Sequence, residues 1–343
     1  MIAAVLLAAA TGAAHVPEST TVPFTLFDNR MLVRAMLDGK GPFTMVVDTG
    51  TYTVTITPLV AQKLGLATRS GGSAFGAGSN SVTVGAAHLK SLEVGTLRFE
   101  DLHTDVLDLT TIQRTFGFSH LDGIIGYSIL GKLRVGIDMD DERLTLSYAP
   151  LPIPKSAASV SFTINDYDIP QIPAAVNGVP GTFVIDTGDR SSPTLFRRFA
   201  QANNFYRDAP VRNAITGVGI GGPIYSDVMR TSVSLFGATI PGVVTRASRD
   251  RGGVFAVAAQ AASIGTGLLK RFNVVFDYPE KRIFAWHSRF FGEPDEYRPL
   301  ALVNGKLHVS QPPIDPTVTS TGEPRHPGRR DTTALPGVTQ RRR

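Results

Sequence analysis

Cysteine is absent from the 343 residues and tryptophan occurs once. Without thiols the chain can close no disulfide, build no cysteine-ligated zinc site and offer no sulfur nucleophile. Its seven histidines stand at 15, 88, 103, 120, 287, 308 and 326, and show no His-x-x-x-His or Glu-containing zinc spacing. Neither a metal nor any other cofactor is therefore expected. There is no Gly-x-Ser-x-Gly elbow to carry a serine nucleophile. The run GVGIGG at 217–222 looks superficially like a dinucleotide loop, but it lacks the strand-to-helix setting that such a loop needs. Charge is scarce too, at 18% of residues, and the net +5 misleads. Residues 311–343 hold six Arg against Asp315, Glu323 and Asp331, which leaves +2 for everything else and no reason to expect a nucleic-acid partner.

Glycine (34) and proline (23) are plentiful, as in a turn-rich, mostly β protein. The one uncharged apolar run is near the start, Ile2 to Ala10, followed by Gly12, Ala13 and Ala14. That pattern predicts a signal peptide over residues 1–15 and an exported protein, periplasmic or secreted, although the usual basic residue at the start is missing. The run is too short to span a bilayer, so no integral membrane segment is expected once it is removed.

The chain repeats itself. GPFTMVVDTG (Gly41–Gly50) parallels VPGTFVIDTG (Val179–Gly188), and each follows a hairpin dipeptide, Asp38-Gly39 or Asn177-Gly178. Farther on, GYSILGKLRVGIDMDDERLTL (Gly126–Leu146) aligns without a gap on GTGLLKRFNVVFDYPEKRIFA (Gly265–Ala285), with Ile137 opposite Phe276. The offsets between copies at these two anchors agree to within a single position, a constancy that predicts two duplicated units over 20–150 and 158–290. The proline-bearing LPIPKSAAS between them reads as a linker. A short helix is expected after each Asp-Thr-Gly, with Thr57-Pro58 and Ser192-Pro193 as N-cap and N1. The glycine-rich segments Ser70–Asn80 and Thr216–Ser226 show no hairpin pattern and read as surface loops; Tyr225 is at most a weak candidate for a flap tyrosine. Residues 299–343, rich in Pro, Thr and Arg, read as a disordered basic tail.

Two strands ending in Asp-Thr-Gly, each with a later apolar-apolar-Gly (Ile124-Ile125-Gly126, and more weakly Ser263-Ile264-Gly265), resemble the aspartic proteases. The similarity is to retropepsin-like units fused in tandem, as in the bilobal pepsin-like enzymes, with closing segments of the kind found in bacterial aspartyl proteases. It implies an all-β fold of two retropepsin-like β-barrel lobes, and a dyad of Asp48 and Asp186 meeting between them. Two carboxyls held so close share one proton, which leaves one charged to deprotonate water and one protonated to polarise a carbonyl. The resemblance assigns Thr49 and Thr187 to bracing the turns and Gly50 and Gly188 to close backbone approach. Ile124, Ile125, Gly126, Ile264 and Gly265 become the scaffold behind them. The implied substrate is an extended peptide or unfolded protein, bound to a monomer. Thr51, after the first turn, can hydrogen-bond the neighbouring carboxylate. Its counterpart is Asp189, which cannot donate when ionised. It either faces inward as a third negative group, turns out to pair with Arg190, or marks a half that has lost hydrolysis. A catalytically inactive peptide-binding protein retaining the cleft is the alternative, and an arrangement that keeps the two units but gives the active site to a homodimer of each is a further one, which a monomeric mass in solution would exclude.

Overall fold

The computed structural model describes residues 18–257 and 259–309. The expected signal peptide and the tail beyond residue 309 lie outside them. The first unit contains strands β1 (Ser19–Pro23), β2 (Thr25–Phe27), β3 (Arg30–Leu37), β4 (Lys40–Val47) and β5 (Val54–Ile56), then helix α1 (Pro58–Leu64). It continues through β6 (Arg69–Ala74), β7 (Val82–Val94), β8 (Leu97–Val106), α2 (Thr110–Phe116), β9 (Gly123–Ile125), α3 (Tyr127–Leu130), β10 (Arg134–Asp138) and β11 (Arg143–Ser147). The second opens with β12 (Ala158–Ser161), β13 (Thr163–Ile164), β14 (Pro170–Val176), β15 (Val179–Asp186), β16 (Pro193–Leu195) and α4 (Arg197–Ala202). It closes with β17 (Val211–Gly219), β18 (Gly222–Leu235), β19 (Ala238–Ser248), α5 (Val254–Val257), β20 (Ala262–Gly265), α6 (Thr266–Leu269), β21 (Phe272–Asp277) and β22 (Arg282–His287). A hairpin, β23 (Leu300–Val303) and β24 (Lys306–Val309), follows.

The duplication is visible in the topology. One eight-stranded sheet runs β2-β3-β4-β9-β5-β8-β7-β6, and the other runs β13-β14-β15-β20-β16-β19-β18-β17, the same order with every strand number raised by eleven. Each sheet curls back on itself through one more pairing, β3 with β7 and β14 with β18, to make a barrel-like lobe. The fold is all-β and bilobal. Both lobes begin with the hairpin that their turn dipeptides dictate: Asp38 and Gly39 take φ of 48° and 70°, Asn177 and Gly178 take 50° and 77°. Positive φ at both central residues is the geometry that closes a two-residue loop without splaying twisted strands.

The lobes share a third sheet, β1-β11-β10-β21-β22-β12, with β10 and β21 at its centre. Residues of β21 are buried throughout, which explains why Phe272–Asp277 is apolar almost without alternation. In the antiparallel pairing of β10 with β21, Gly136 lies opposite Val275, and the gapless alignment of the two copies matches these same two residues. That pair therefore lies on the pseudo-two-fold axis relating the lobes. The neighbouring pairs, Val135 with Phe276 and Ile137 with Val274, exchange across it.

Two expectations need correction. The Ser192-Pro193 dipeptide does not cap a helix. Pro193–Leu195 is strand β16, buried between β20 and β19, and the helix starts one turn later with Phe196 as its N-cap. Phe196 holds the place in the second unit that Thr57 holds in the first, where the Thr57 hydroxyl caps α1 by accepting from the Val60 amide at 3.4 Å. Nor is the whole of 299–343 without structure. Leu300–Val309 is a hairpin turning at Asn304 (φ 50°) and Gly305 (φ 73°). Leu300, Leu307 and Val309 pack into an apolar cluster with Leu109, Phe116 and Val218, and that burial orders the strands.

Candidate active site

Each Asp-Thr-Gly leaves the end of a central strand, β4 or β15, that runs parallel to β9 or β20. This pairing aims both turns at the lobe interface. Asp48 donates its backbone amide to the Ile125 carbonyl (3.0 Å), and Asp186 sits beside Gly265. The Asp48 and Asp186 carboxyls hydrogen-bond one another. Asp48 Oδ1 also accepts from the Gly50 amide at 2.7 Å, and Asp186 Oδ1 from the amides of Gly188 and Asp189 at 3.0 Å each. A Cβ on Gly50 would collide with the Asp186 carboxyl, and one on Gly188 with that of Asp48, so each glycine makes room for the opposite lobe's acid.

Below the acids the threonines interlock. Thr49 Oγ1 donates to the Ile185 carbonyl (2.8 Å) and accepts from the Thr187 amide (3.1 Å). Thr187 Oγ1 does the converse, donating to the Val47 carbonyl (2.8 Å) and accepting from the Thr49 amide (3.0 Å). Both side chains are buried, and all four bonds cross between lobes. The glycines behind them are required by space: a Cβ on Gly126 would meet the Thr53 and Thr51 carbonyls, and one on Gly265 those of Ser191 and Asp189. Ile125 and Ile264 are buried in the core, whereas Ile124 lines the cleft.

Burial pushes both acids upward. Asp48 rises, opposed by the amides of Gly50 and Gly188 and by the positive charge of Arg30. Asp186 rises well above the ordinary aspartate range, first through burial, then through repulsion from Asp48 and from Asp189. Both upward shifts favour a proton shared within the pair.

Over the dyad lies a cavity of about 270 Å³. Its roof is made by the two glycine-rich segments. They are not surface loops: β6 with β7 and β17 with β18 form long hairpins, one from each lobe, whose tips meet. Gly221 donates to the Ala77 carbonyl (2.9 Å), its own carbonyl accepts from the Asn80 amide (3.1 Å), and Val254 donates to the Gly76 carbonyl (3.2 Å). A Cβ on Gly78, Gly219, Gly221 or Gly253 would run into the backbone crossing it. Glycine there serves close packing of main chains, and it erases the side-chain alternation by which a hairpin would be legible. Tyr225 is exposed and its amide is bonded to Asp250 Oδ1; Phe75 and Ile220 face the cavity instead.

Residues 33–129 match the family model described as aspartyl protease. The fold of the chain is similar to the crystal structure of the aspartic proteinase from Irpex lacteus, with a TM-score of 0.51 over 81% of this chain and 99% of that one, at 15% identity. No curated protein sequence is significantly similar to it.

What distinguishes the second turn from the first is the surroundings of Asp189. Its carboxylate lines the cavity; Oδ1 accepts from the Ser191 amide (2.8 Å) and hydroxyl, while Oδ2 is buried without a partner. Arg190 turns away from it to Asp28, reached at 2.7 Å by Nε and at 2.6 Å by a terminal nitrogen. Asp28 also receives Arg30 (2.6 Å), whose Nε donates to the Gly188 carbonyl (2.9 Å), and Asn29 donates to the Arg190 carbonyl (2.9 Å). Both guanidiniums stack on Phe116, at 4.6 and 5.1 Å from its ring centre. Among the described residues no hydrogen bond joins the Thr51 hydroxyl to Asp48. Sequence reasoning missed Asp28, Arg30, Phe116 and Arg246, because no local motif marks them and only the topology gathers them at the second turn.

Proposed function

We propose that this protein is an aspartic endopeptidase in which Asp48 and Asp186 activate water against the peptide bonds of extended chains. The reading rests on one observation: two carboxyls from pseudo-equivalent turns meet across the lobe interface, each packed against the glycine of the opposite turn, at the floor of a roofed cleft. The charged Asp48 takes a proton from water as its oxygen bonds to the scissile carbonyl carbon, and Asp186 gives its proton to the carbonyl oxygen. Collapse of the tetrahedral species then breaks the C–N bond: the leaving nitrogen takes up the proton held by Asp48, and one of the two hydroxyls returns its proton to Asp186 as the carbonyl re-forms. The Gly50, Gly188 and Asp189 amides fix the carboxyls so that little reorganisation is needed. A peptide enters as an added strand, bonded through its backbone. The apolar N-terminal run supports export of this activity from the cytoplasm, and one chain supplying both acids supports a monomeric enzyme.

Cleavage of an unfolded protein pool between about pH 3 and 7.5 tests this, with the native chain beside Asp48→Asn and Asp186→Asn. Hydrolysis by the former and its loss, by about a thousandfold or more, in each variant is the expected result. Peptide binding without turnover at any pH would establish a non-catalytic binder instead, a reading that the extra carboxylate of Asp189 beside the dyad favours.

A further inference from the structure

At one pair of equivalent positions the two sides of the cleft carry opposite charges. In the first lobe β5 pairs parallel with β8, and Thr55 is partnered with Asp105; in the second β16 pairs parallel with β19, and Thr194 is partnered with Arg246. Thr55 and Thr194 are equivalent, each also lying opposite the middle of the apolar-apolar-Gly strand, at Ile124 and Ser263. Asp105 and Arg246 therefore occupy the same place on either side of the pseudo-two-fold axis. Both line the cavity over the dyad.

Neither charge is neutralised by an ion pair. Asp105 accepts one hydrogen bond, from the Thr53 hydroxyl at 2.7 Å, and takes part in no salt bridge among the described residues. Arg246 is only 6% exposed, its Nε is buried without a partner, and its guanidinium makes no hydrogen bond or ion pair among the described residues. The other arginines lining the cavity, Arg30 and Arg190, are already held by Asp28. Arg190 repels Arg246, and Asp189 and Asp295 attract it without bonding it; Asp189 Oδ2 is itself unpartnered. A buried guanidinium with unused donors, facing a cleft, is completed by a carboxylate that supplies two acceptors. The matching ligand for a cleft carboxylate with spare acceptor capacity is an ammonium or guanidinium.

We propose that Asp105 and Arg246 are specificity-determining residues. The preferred substrate is an extended peptide with a basic side chain on the first-lobe side of the scissile bond and an acidic one on the second-lobe side. This rests on the endopeptidase reading for its catalytic consequence, but not for binding.

Two measurements separate the readings. Cleavage sites in a diverse peptide pool, mapped by mass spectrometry, are expected to show an acidic residue at a fixed position on one side and a basic one at a fixed position on the other. Arg246→Gln should lower kcat/KM for the acidic-bearing peptide by about tenfold or more while sparing its neutral counterpart, and Asp105→Asn should do the same for the basic position alone. Independently, Asp48→Asn should bind a fluorescent peptide in the basic-to-acidic order about tenfold more tightly than the same composition in reverse order. Polarity in binding without hydrolysis would sink the endopeptidase reading and leave this one standing. Cleavage with no charge preference, or preferences that both substitutions leave unchanged, would overturn it. Should Arg246→Gln fail to fold, Arg246→Lys keeps the charge while shortening the reach, and retention of the acidic preference there supports the same assignment.

Discussion

Asp189 stands where the first turn carries the hydroxyl of Thr51, and its charge alters the electrostatics of the whole floor. That charge is one of the forces raising Asp186, and the proposed mechanism requires a proton in the pair. Asp189→Asn removes the repulsion, so the alkaline limb of the pH profile should move to lower pH with the acid limb less affected. A profile unmoved by the substitution would mean that the Asp189 charge does not reach the dyad. The same raised group has a thermodynamic face. Its contribution to stability is full below the ordinary aspartate range and is lost as pH rises through the raised value, so Asp186→Asn should flatten the decline of stability with pH. Thr49 makes a separate residue-scale case: Thr49→Val leaves the Ile185 carbonyl and the Thr187 amide without partners in a buried site. A loss of about 1–3 kcal/mol per orphaned group is expected in denaturant unfolding, largely restored by Thr49→Ser.

At the scale of elements, the flap junction depends on glycine conformations. Gly78 has φ 96° and faces the Gly221 backbone, so Gly78→Ala should separate the tips. The expected outcome is a fall in kcat/KM of between about ten- and a hundredfold with an almost unchanged melting temperature, since few buried contacts are lost. These hairpins also show where the sequence was readable and where it was not. The duplication, the paired turns and the β10 and β21 strands were legible because apolar pattern and spacing repeat together. The Ser192-Pro193 dipeptide carried a helix-start signature, but the partners waiting on both sides in β19 and β20 made those residues a strand. Asn304-Gly305 has the chemistry of a two-residue hairpin turn, but it stands at the start of a segment whose overall composition reads as a tail. Asp105 and Arg246 could not be matched by the repeat offset, which sets Arg246 opposite Leu107; only strand register brings them into equivalence.

For the molecule as a whole, Asp28 ties the lobes together at the dyad. It belongs to the first lobe and holds Arg190 of the second, along with its own Arg30. Asp28→Ala leaves two buried guanidiniums without their carboxylate, and a cost of about 3–5 kcal/mol is expected, read as a lower urea midpoint. Unfolding that becomes two separate steps would show that the lobes keep independent stability once this tie is cut.

The meeting of the two hairpin tips has a topological meaning. With a shared sheet as floor and bonded main chains as roof, the lobes close a ring around the dyad. A polypeptide lying across Asp48 and Asp186 is encircled rather than merely covered. On the proposed reading it would reach that place by threading from a free end or by rupture of the roof bonds, and a folded domain, which offers neither a loose end nor a slender loop, would be kept out by shape alone.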